Sequence, residues 1–274
     1  MIHARKRFGQ NFLHDPAVIA HIVRTVAPAA ADHLVEIGPG HGALTGELLA
    51  QPYASFDAVE IDRELAAQLR PRLAAARAAT LHEGDALEFD FRGLARVRAG
   101  RLRIVGNLPY NISTPLLFHL LDAAPDIRDL HVMLQREVVA RMVAAPGSAE
   151  YGRLGVMLAP RVRVERLFDV GPGAFRPAPR VWSAVARLTV RDQPAFEISP
   201  NFARVVSLAF SHRRKTLRNA LRSLLEPAAI RACGIDPGVR PETLDPAAFN
   251  VLACQVPAAA IIESRASPPQ GTIG

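Results

Sequence analysis

The sequence has 274 residues, 49% of them hydrophobic, with 33 Lys+Arg against 26 Asp+Glu and a formal net charge of +7. That is enough chain and apolar side chain for a large domain with a smaller companion. The basic, polar opening MIHARKRFGQ does not resemble a secretory signal, and no apolar run reaches the ~18 residues a membrane span needs, so a cytoplasmic protein without a membrane partner is expected.

After the basic arm, Asp15-Pro16 reads as an N-cap with proline at the first helical position, opening a helix to about Ala27. Short apolar runs then alternate with helical ones: strand 34–37, helix 43–50, strand 56–60, helix 62–76, strand 79–81, strand 102–106, helix 113–123, strand 130–134 and helix 136–144. This alternation predicts an α/β fold with a parallel sheet covered on both faces. Runs 161–168 and 182–190, joined by the Pro/Gly-rich DVGPGAFRPAPR, predict an antiparallel hairpin that completes the sheet. From about Asp192 the pattern is helical, in SPNFARVVSLAF, RKTLRNALRSLL and a weaker segment 246–262. The expected organisation is a domain over 1–191, a small helical domain over 192–263 and a disordered tail over 264–274. Cys233 and Cys254 stand outside any CxxC or Cys/His cluster, so neither a disulfide framework nor a metal site is expected.

In VEIGPGHGALT, Gly38, Gly40 and Gly42 fall between a strand and a helix, where glycine lets the backbone approach a ligand. Their G-x-G-x-G spacing differs from the G-x-G-x-x-G of dinucleotide sites, which disfavours a nicotinamide oxidoreductase and suits a nucleoside without phosphates. Glu60 ends the second strand, where a carboxylate can accept both ribose hydroxyls, and Asp85 follows the third, where it can meet an adenine amine. Together they outline a pocket for S-adenosyl-L-methionine. In FGQNFL, Gln10 and Asn11 lie between the apolar anchors Phe8, Phe12 and Leu13, an arrangement that also reads as a staple for the first helix.

VGNLPYNIST places Asn107, Leu108, Pro109 and Tyr110 after the fourth strand. An adenine N6 amine is a poor nucleophile because its lone pair is delocalised. The Asn107 side-chain oxygen and the Leu108 carbonyl can each accept one of its N–H groups, while Pro109 stiffens the loop and Tyr110 offers a ring to an extruded base.

NLPY resembles the N/D-P-P-Y/F signature of adenine-N6 methyltransferases, in the form found in ribosomal RNA adenine dimethyltransferases. FGQNFL, EIGPGHGALT, VEID, GDAL, VGNLPYNIST, LQREVVARMVAAPGSAEYGRLGVML, FRPAPRVWSAV and FSHRRKTLRNAL are similar to that family in order, from Phe8 to about Leu221. GVMLAP and DVGPGAF depart from its usual pattern, the second by the place of the proline in the stretch that ends at Phe175. The resemblance implies a class I S-adenosylmethionine-dependent methyltransferase, Rossmann-like, with a mostly parallel seven-stranded sheet and a small C-terminal helical domain. It implies N6,N6-dimethylation of two adjacent adenines in a hairpin near the 3′ end of 16S ribosomal RNA, within the small subunit or its precursor, by a monomer that releases S-adenosyl-L-homocysteine. By the same resemblance Gln10, Asn11, Leu13, Gly38, Gly40, Gly42, Glu60, Ile61, Asp85, Ala86 and Asn107 hold the cofactor, Asn107, Leu108, Pro109 and Tyr110 form the catalytic loop, and Phe175 is a second aromatic at the target base, although its residue type alone reads as a core residue. An enzyme acting on large-subunit RNA and an RNA-binding assembly factor are the rival readings.

Arg214, Arg218 and Arg222 recur at i, i+4 and i+8 opposite Leu217, Leu221 and Leu224, predicting a helix that packs on one face and grips phosphate on the other. Arg5, Lys6, Arg7, Lys215, Arg161 and Arg163 extend this basic surface, which would position RNA without reading its sequence.

Overall fold

The Asp15 carboxylate accepts the N–H groups of Ala17 and Val18 and caps α1 (Pro16–Val26) in the computed structural model, which describes residues 10–212 and 214–257. Arg5, Lys6, Arg7 and Phe8, like the expected tail over 264–274, lie outside the described residues. The chain divides into two units: residues up to Val143 with Arg161–Gln193, and Ala144–Pro160 with the residues from Pro194 onward. No helix among the described residues is long and apolar enough to cross a membrane.

In the first unit β1 (Phe12–Leu13) precedes α1, and then come β2 (His33–Ile37), α2 (Ala43–Leu49), β3 (Ser55–Glu60), α3 (Arg63–Ala75), β4 (Ala79–Glu83), α4 (Phe91–Arg98), β5 (Leu102–Asn107), α5 (Ser113–Asp122), β6 (Ile127–Gln135) and α6 (Arg136–Val143). After α7 (Arg153–Leu158), which belongs to the second unit, β7 (Val162–Val170), β8 (Phe175–Arg176) and β9 (Ser183–Val190) follow. Seven strands form one sheet in the order β4-β3-β2-β5-β6-β9-β7, and only β9 runs against the rest. The parallel core and the terminal antiparallel pairing are those the alternation predicted, because each parallel step needs a helix to carry the chain back.

Ile19, Ile22, Val23 and Val26 of α1 and Leu44 and Leu48 of α2 pack with Val105, Met133 and Val185 of the sheet. Each such side chain stabilises the fold by roughly 1.5–3 kcal/mol. α4 was not anticipated: Gly93 stands in its first turn and weakens the helical signal, but the Asp90 carboxylate accepts the Gly93 N–H at 2.8 Å and caps it.

In the second unit α8 (Phe202–Ala209), α9 (Leu217–Ala220), α10 (Pro227–Ala232) and α11 (Pro246–Cys254) surround a core that includes Phe202, Val206, Leu217, Leu221, Phe249 and Leu252. Two expectations are corrected here. Segment 144–160 belongs with this unit, not with the first, since Tyr151 is buried in its core and donates its hydroxyl to the Leu244 carbonyl at 2.7 Å. RKTLRNALRSLL is not one helix. Thr216 is extended, the Leu217 and Arg218 N–H groups are taken by the carbonyls of Val239 and Pro237, and only α9 is helical. The heptad-like spacing nonetheless separates faces, with Leu217, Leu221 and Leu224 buried and Arg214, Arg218 and Arg222 exposed.

At the amino-terminal edge of the sheet, buried Arg103 donates to Asp129 at 3.0 Å, to Asp32 at 2.6 Å and to the Val26 carbonyl at 2.8 Å. It thereby ties β5 to β6 and to the turns flanking β2 and α1. Removing one member of a buried ionic network leaves the others uncompensated. Arg103→Ala is expected to lower stability by about 3–5 kcal/mol in urea denaturation; an unchanged midpoint would show that the network contributes nothing.

Candidate active site

The opposite, carboxyl-terminal edge of the sheet holds a cavity of about 330 Å³. Its wall is the loop Gly38–His41 after β2, Glu60 and Ile61 at the end of β3, Gly84–Ala86 after β4, Asn107–Ile112 after β5, and the strap Gln10–Leu13. A ligand crevice at the strand carboxyl ends is what a doubly wound sheet provides.

Glu60 is oriented by backbone donors: Oε2 accepts the Gly40 N–H at 3.0 Å and Oε1 the Asp62 N–H at 2.9 Å, with the Ile61 N–H adding a further bond. Burial raises the Glu60 pKa against the lowering effect of those hydrogen bonds. Asp62 also receives the Gln10 amide at 3.4 Å, which ties the strap to the β3 loop. Asp85 accepts the Leu87 N–H through Oδ1 at 2.9 Å, so its turn is fixed while the residue lines the cavity.

Asn107 donates Nδ2 to the Asn11 carbonyl at 2.8 Å. That bond fixes the amide and leaves Oδ1 as the acceptor. Leu108 is buried and its N–H bonds the Met133 carbonyl at 3.1 Å, while the Pro109 carbonyl accepts from the Ile112 N–H and the Ser113 hydroxyl. The Tyr110 hydroxyl meets the Ser183 hydroxyl at 2.6 Å. Burial raises the Tyr110 pKa and the phenol remains neutral, a ring and not an acid.

Two expected members lie elsewhere. Gly42 does not line the cavity. It caps α2 with φ 75°, and a Cβ there would fall 2.5 Å from Leu69 Cδ2, so its missing side chain seats α3 against the loop. Phe175 is 2% exposed in the core of the first unit and cannot face a base in this arrangement. Its backbone pairs with Leu13, so it anchors the strap. The remaining expected cofactor residues, Leu13, Gly38, Gly40, Ile61 and Ala86 among them, all line the cavity. Arg214, Lys215, Arg218 and Arg222 belong to the second unit.

Two residues of the site were missed. Ser183 carried no signal beyond its place in a strand. Glu36, a carboxylate inside an apolar strand directly before the glycine turn, did. It lines the cavity, is buried, and accepts the Thr45 hydroxyl at 2.6 Å. Burial raises its pKa to about 7, with Glu60 adding to the shift and the Thr45 bond opposing it.

The fold and its cavity are those of a class I methyltransferase. The family model for "Ribosomal RNA adenine dimethylase" matches residues 1–253, and the chain belongs to that family. It is 53% identical over 255 residues to "Ribosomal RNA small subunit methyltransferase A" of Pseudomonas putida, covering 92% of this chain and 95% of that protein. It is also 53% identical over 253 residues to the same-named protein of Methylococcus capsulatus, covering 92% and 97%. Among solved structures, a dimethyladenosine transferase from Plasmodium falciparum superposes with TM-score 0.73 at 23% identity over 88% of this chain and 95% of that one, a likeness of fold. The 23S rRNA methyltransferase ErmE gives TM-score 0.68 at 26% identity over 90% and 99%.

Between the ordinary carboxyl value of 4.5 and about 7, folded protein holds a Glu36 proton that the unfolded chain releases. Glu36 therefore costs stability as pH rises through that window. Glu36→Gln is expected to stabilise the ligand-free protein at pH 8, by up to about 3 kcal/mol, and hardly at all at pH 5. Thermal unfolding at both pH values checks this; an equal shift at the two would exclude a buried charge as the cause.

Proposed function

We propose that this protein uses S-adenosylmethionine to dimethylate N6 of two adjacent adenines in the hairpin near the 3′ end of 16S ribosomal RNA. In this reading it acts as a cytoplasmic monomer on the small subunit or its precursor. The observation that carries the reading is the Asn107 amide, pinned by the Asn11 carbonyl with Oδ1 left to accept, beside a tyrosine ring held by Ser183.

The cavity suits the cofactor. Glu60 would accept the ribose hydroxyls, Asp85 would meet the adenine amine, and the loop Gly38–His41 would receive the methionine portion near Glu36. The cofactor supplies an electrophilic methyl on a sulfonium. This chain's residues do the rest. Tyr110 stacks on the extruded adenine, and Asn107 Oδ1 and the Leu108 carbonyl each accept one N–H of its amine. Those bonds hold the nitrogen with its lone pair directed at the cavity and stabilise the positive charge that develops on it. The methylated ammonium is acidic enough to lose its proton to water, so no strong base is required.

Small-subunit RNA is favoured over large-subunit RNA by the 53% identity to proteins named for the small subunit, against 26% to the 23S enzyme. Transfer of labelled methyl into unmethylated small subunits, with large subunits alongside and nucleoside analysis after, is expected to give dimethyladenosine only in small-subunit RNA. Label in 23S RNA would favour the large-subunit reading. Asn107→Ala should reduce transfer roughly 100-fold or more while particle binding persists; near wild-type rates would remove Asn107 from catalysis. Glu60→Ala should weaken cofactor binding by about 2 kcal/mol, read by calorimetry, and an unchanged affinity would take Glu60 out of the ribose site.

A further inference from the structure

Trp182, the single tryptophan of the chain, is 48% exposed, and its neighbour Val181 is 43% exposed. The Arg136 guanidinium stands 5.8 Å from the centroid of the indole. The pair is built in: the Arg136 N–H donates to the Trp182 carbonyl at 2.9 Å, where β6 passes into α6 and β9 begins. Gly171 borders the ring and offers no side chain to cover it; a Cβ there would lie 3.6 Å from the indole. The only carboxylate within 4.0 Å of Arg136 among the described residues is Asp169, at that limit. Asp169 is itself held by Arg166 at 2.6 Å and 3.0 Å, so the Arg136 charge has no tight partner.

The position of this pair relates it to the cavity. Trp182 immediately precedes Ser183, the residue whose hydroxyl holds Tyr110, and Ser183 is itself paired to both Gln135 and Val170. Consecutive Cα atoms lie ~3.8 Å apart. The Trp182 backbone therefore lies one residue from Ser183 at the same carboxyl-terminal edge of the sheet, and the indole leaves it over Gly171, on a different side from the Ser183 hydroxyl that meets Tyr110.

We propose that Trp182 and Arg136 form a stacking platform for an unpaired nucleotide adjoining the target adenine, with Trp182 taking the base and Arg136 its phosphate. The inference rests on the RNA adenine methyltransferase reading of the site. A planar ring beside a cation with only a distant carboxylate partner matches a ligand that is itself a planar ring on an anionic backbone. Arg180, also exposed and two residues before Trp182, adds positive charge to this edge.

The test is methyl transfer into unmethylated small subunits by Trp182→Ala, Trp182→Phe and Arg136→Ala, with cofactor affinity measured on each. Trp182→Ala is expected to raise the KM for subunits about ten-fold, the loss of one stacked base, with kcat and cofactor affinity unchanged. Trp182→Phe should recover most of that loss because a stacking face remains. Arg136→Ala should raise KM by a smaller factor that fades at high salt. A wild-type KM in Trp182→Ala overturns the platform and leaves the methyltransferase reading standing. Equal losses in Trp182→Ala and Trp182→Phe together with weakened cofactor binding also overturn it, since that is the signature of packing. No transfer by the unsubstituted protein overturns the methyltransferase reading and the platform with it.

Discussion

The active edge depends on how closely β2 and β5 approach at Gly106. A Cβ at that position would lie 2.6 Å from the Ile37 carbonyl oxygen, a contact no side chain survives. Because nothing stands between them, the loops that leave the two strands open side by side. A Cβ on Gly38 would lie 4.0 Å from the Asn107 carbonyl. The loops after β2 and β5 thus share one cavity because two backbones touch, and a bulkier residue at position 106 would separate them whatever the quality of either loop.

The two edges of the sheet are charged in opposite senses of satisfaction. At the amino-terminal edge Arg103 is matched to Asp129 and Asp32, with Arg128 on the other oxygen of Asp32. At the carboxyl-terminal edge Glu36 and Glu60 are buried with hydroxyl and backbone donors, and burial raises both pKa values. Stability resides where charges are compensated, and binding capacity where they are not, as expected when a site is held at a cost to the fold.

Much of this was legible from residue types because the strands are short, apolar and punctuated, and because Glu60, Asp85 and Asn107 each stand where a strand ends. What was not legible depended on contacts between distant segments. Gly42 looks like a third ligand glycine, yet its partner is Leu69, 27 positions along the chain. Phe175 reads as a core residue from its type alone, and it is the resemblance that placed it at the base; pairing with Leu13 keeps it in the core. RKTLRNALRSLL has helical periodicity, but the carbonyls of Pro237 and Val239 take the N–H groups at the start of α9, so no longer helix forms there. Tyr151 reveals its unit only through Leu244. Propensity and period describe a segment; the outcomes at Gly42, Tyr151 and RKTLRNALRSLL were decided by its partners.

The strap Gln10–Leu13 joins two sides of the cavity. Its Asn11 carbonyl orients the Asn107 amide, and its Gln10 amide reaches Asp62, whose own N–H is accepted by Glu60. Glu60 in turn accepts the Gly40 N–H, which closes a path from the loop after β5 through the strap to Glu60 and the glycine turn. The β1–β8 pairing, with Phe175 in the core, fixes where the strap lies. This short segment therefore sets both the direction of Asn107 Oδ1 and one wall of the cavity. Displacing it would loosen the Asn107 geometry and the cavity together, so Phe175, buried and paired with Leu13, bears on both through the strap it holds.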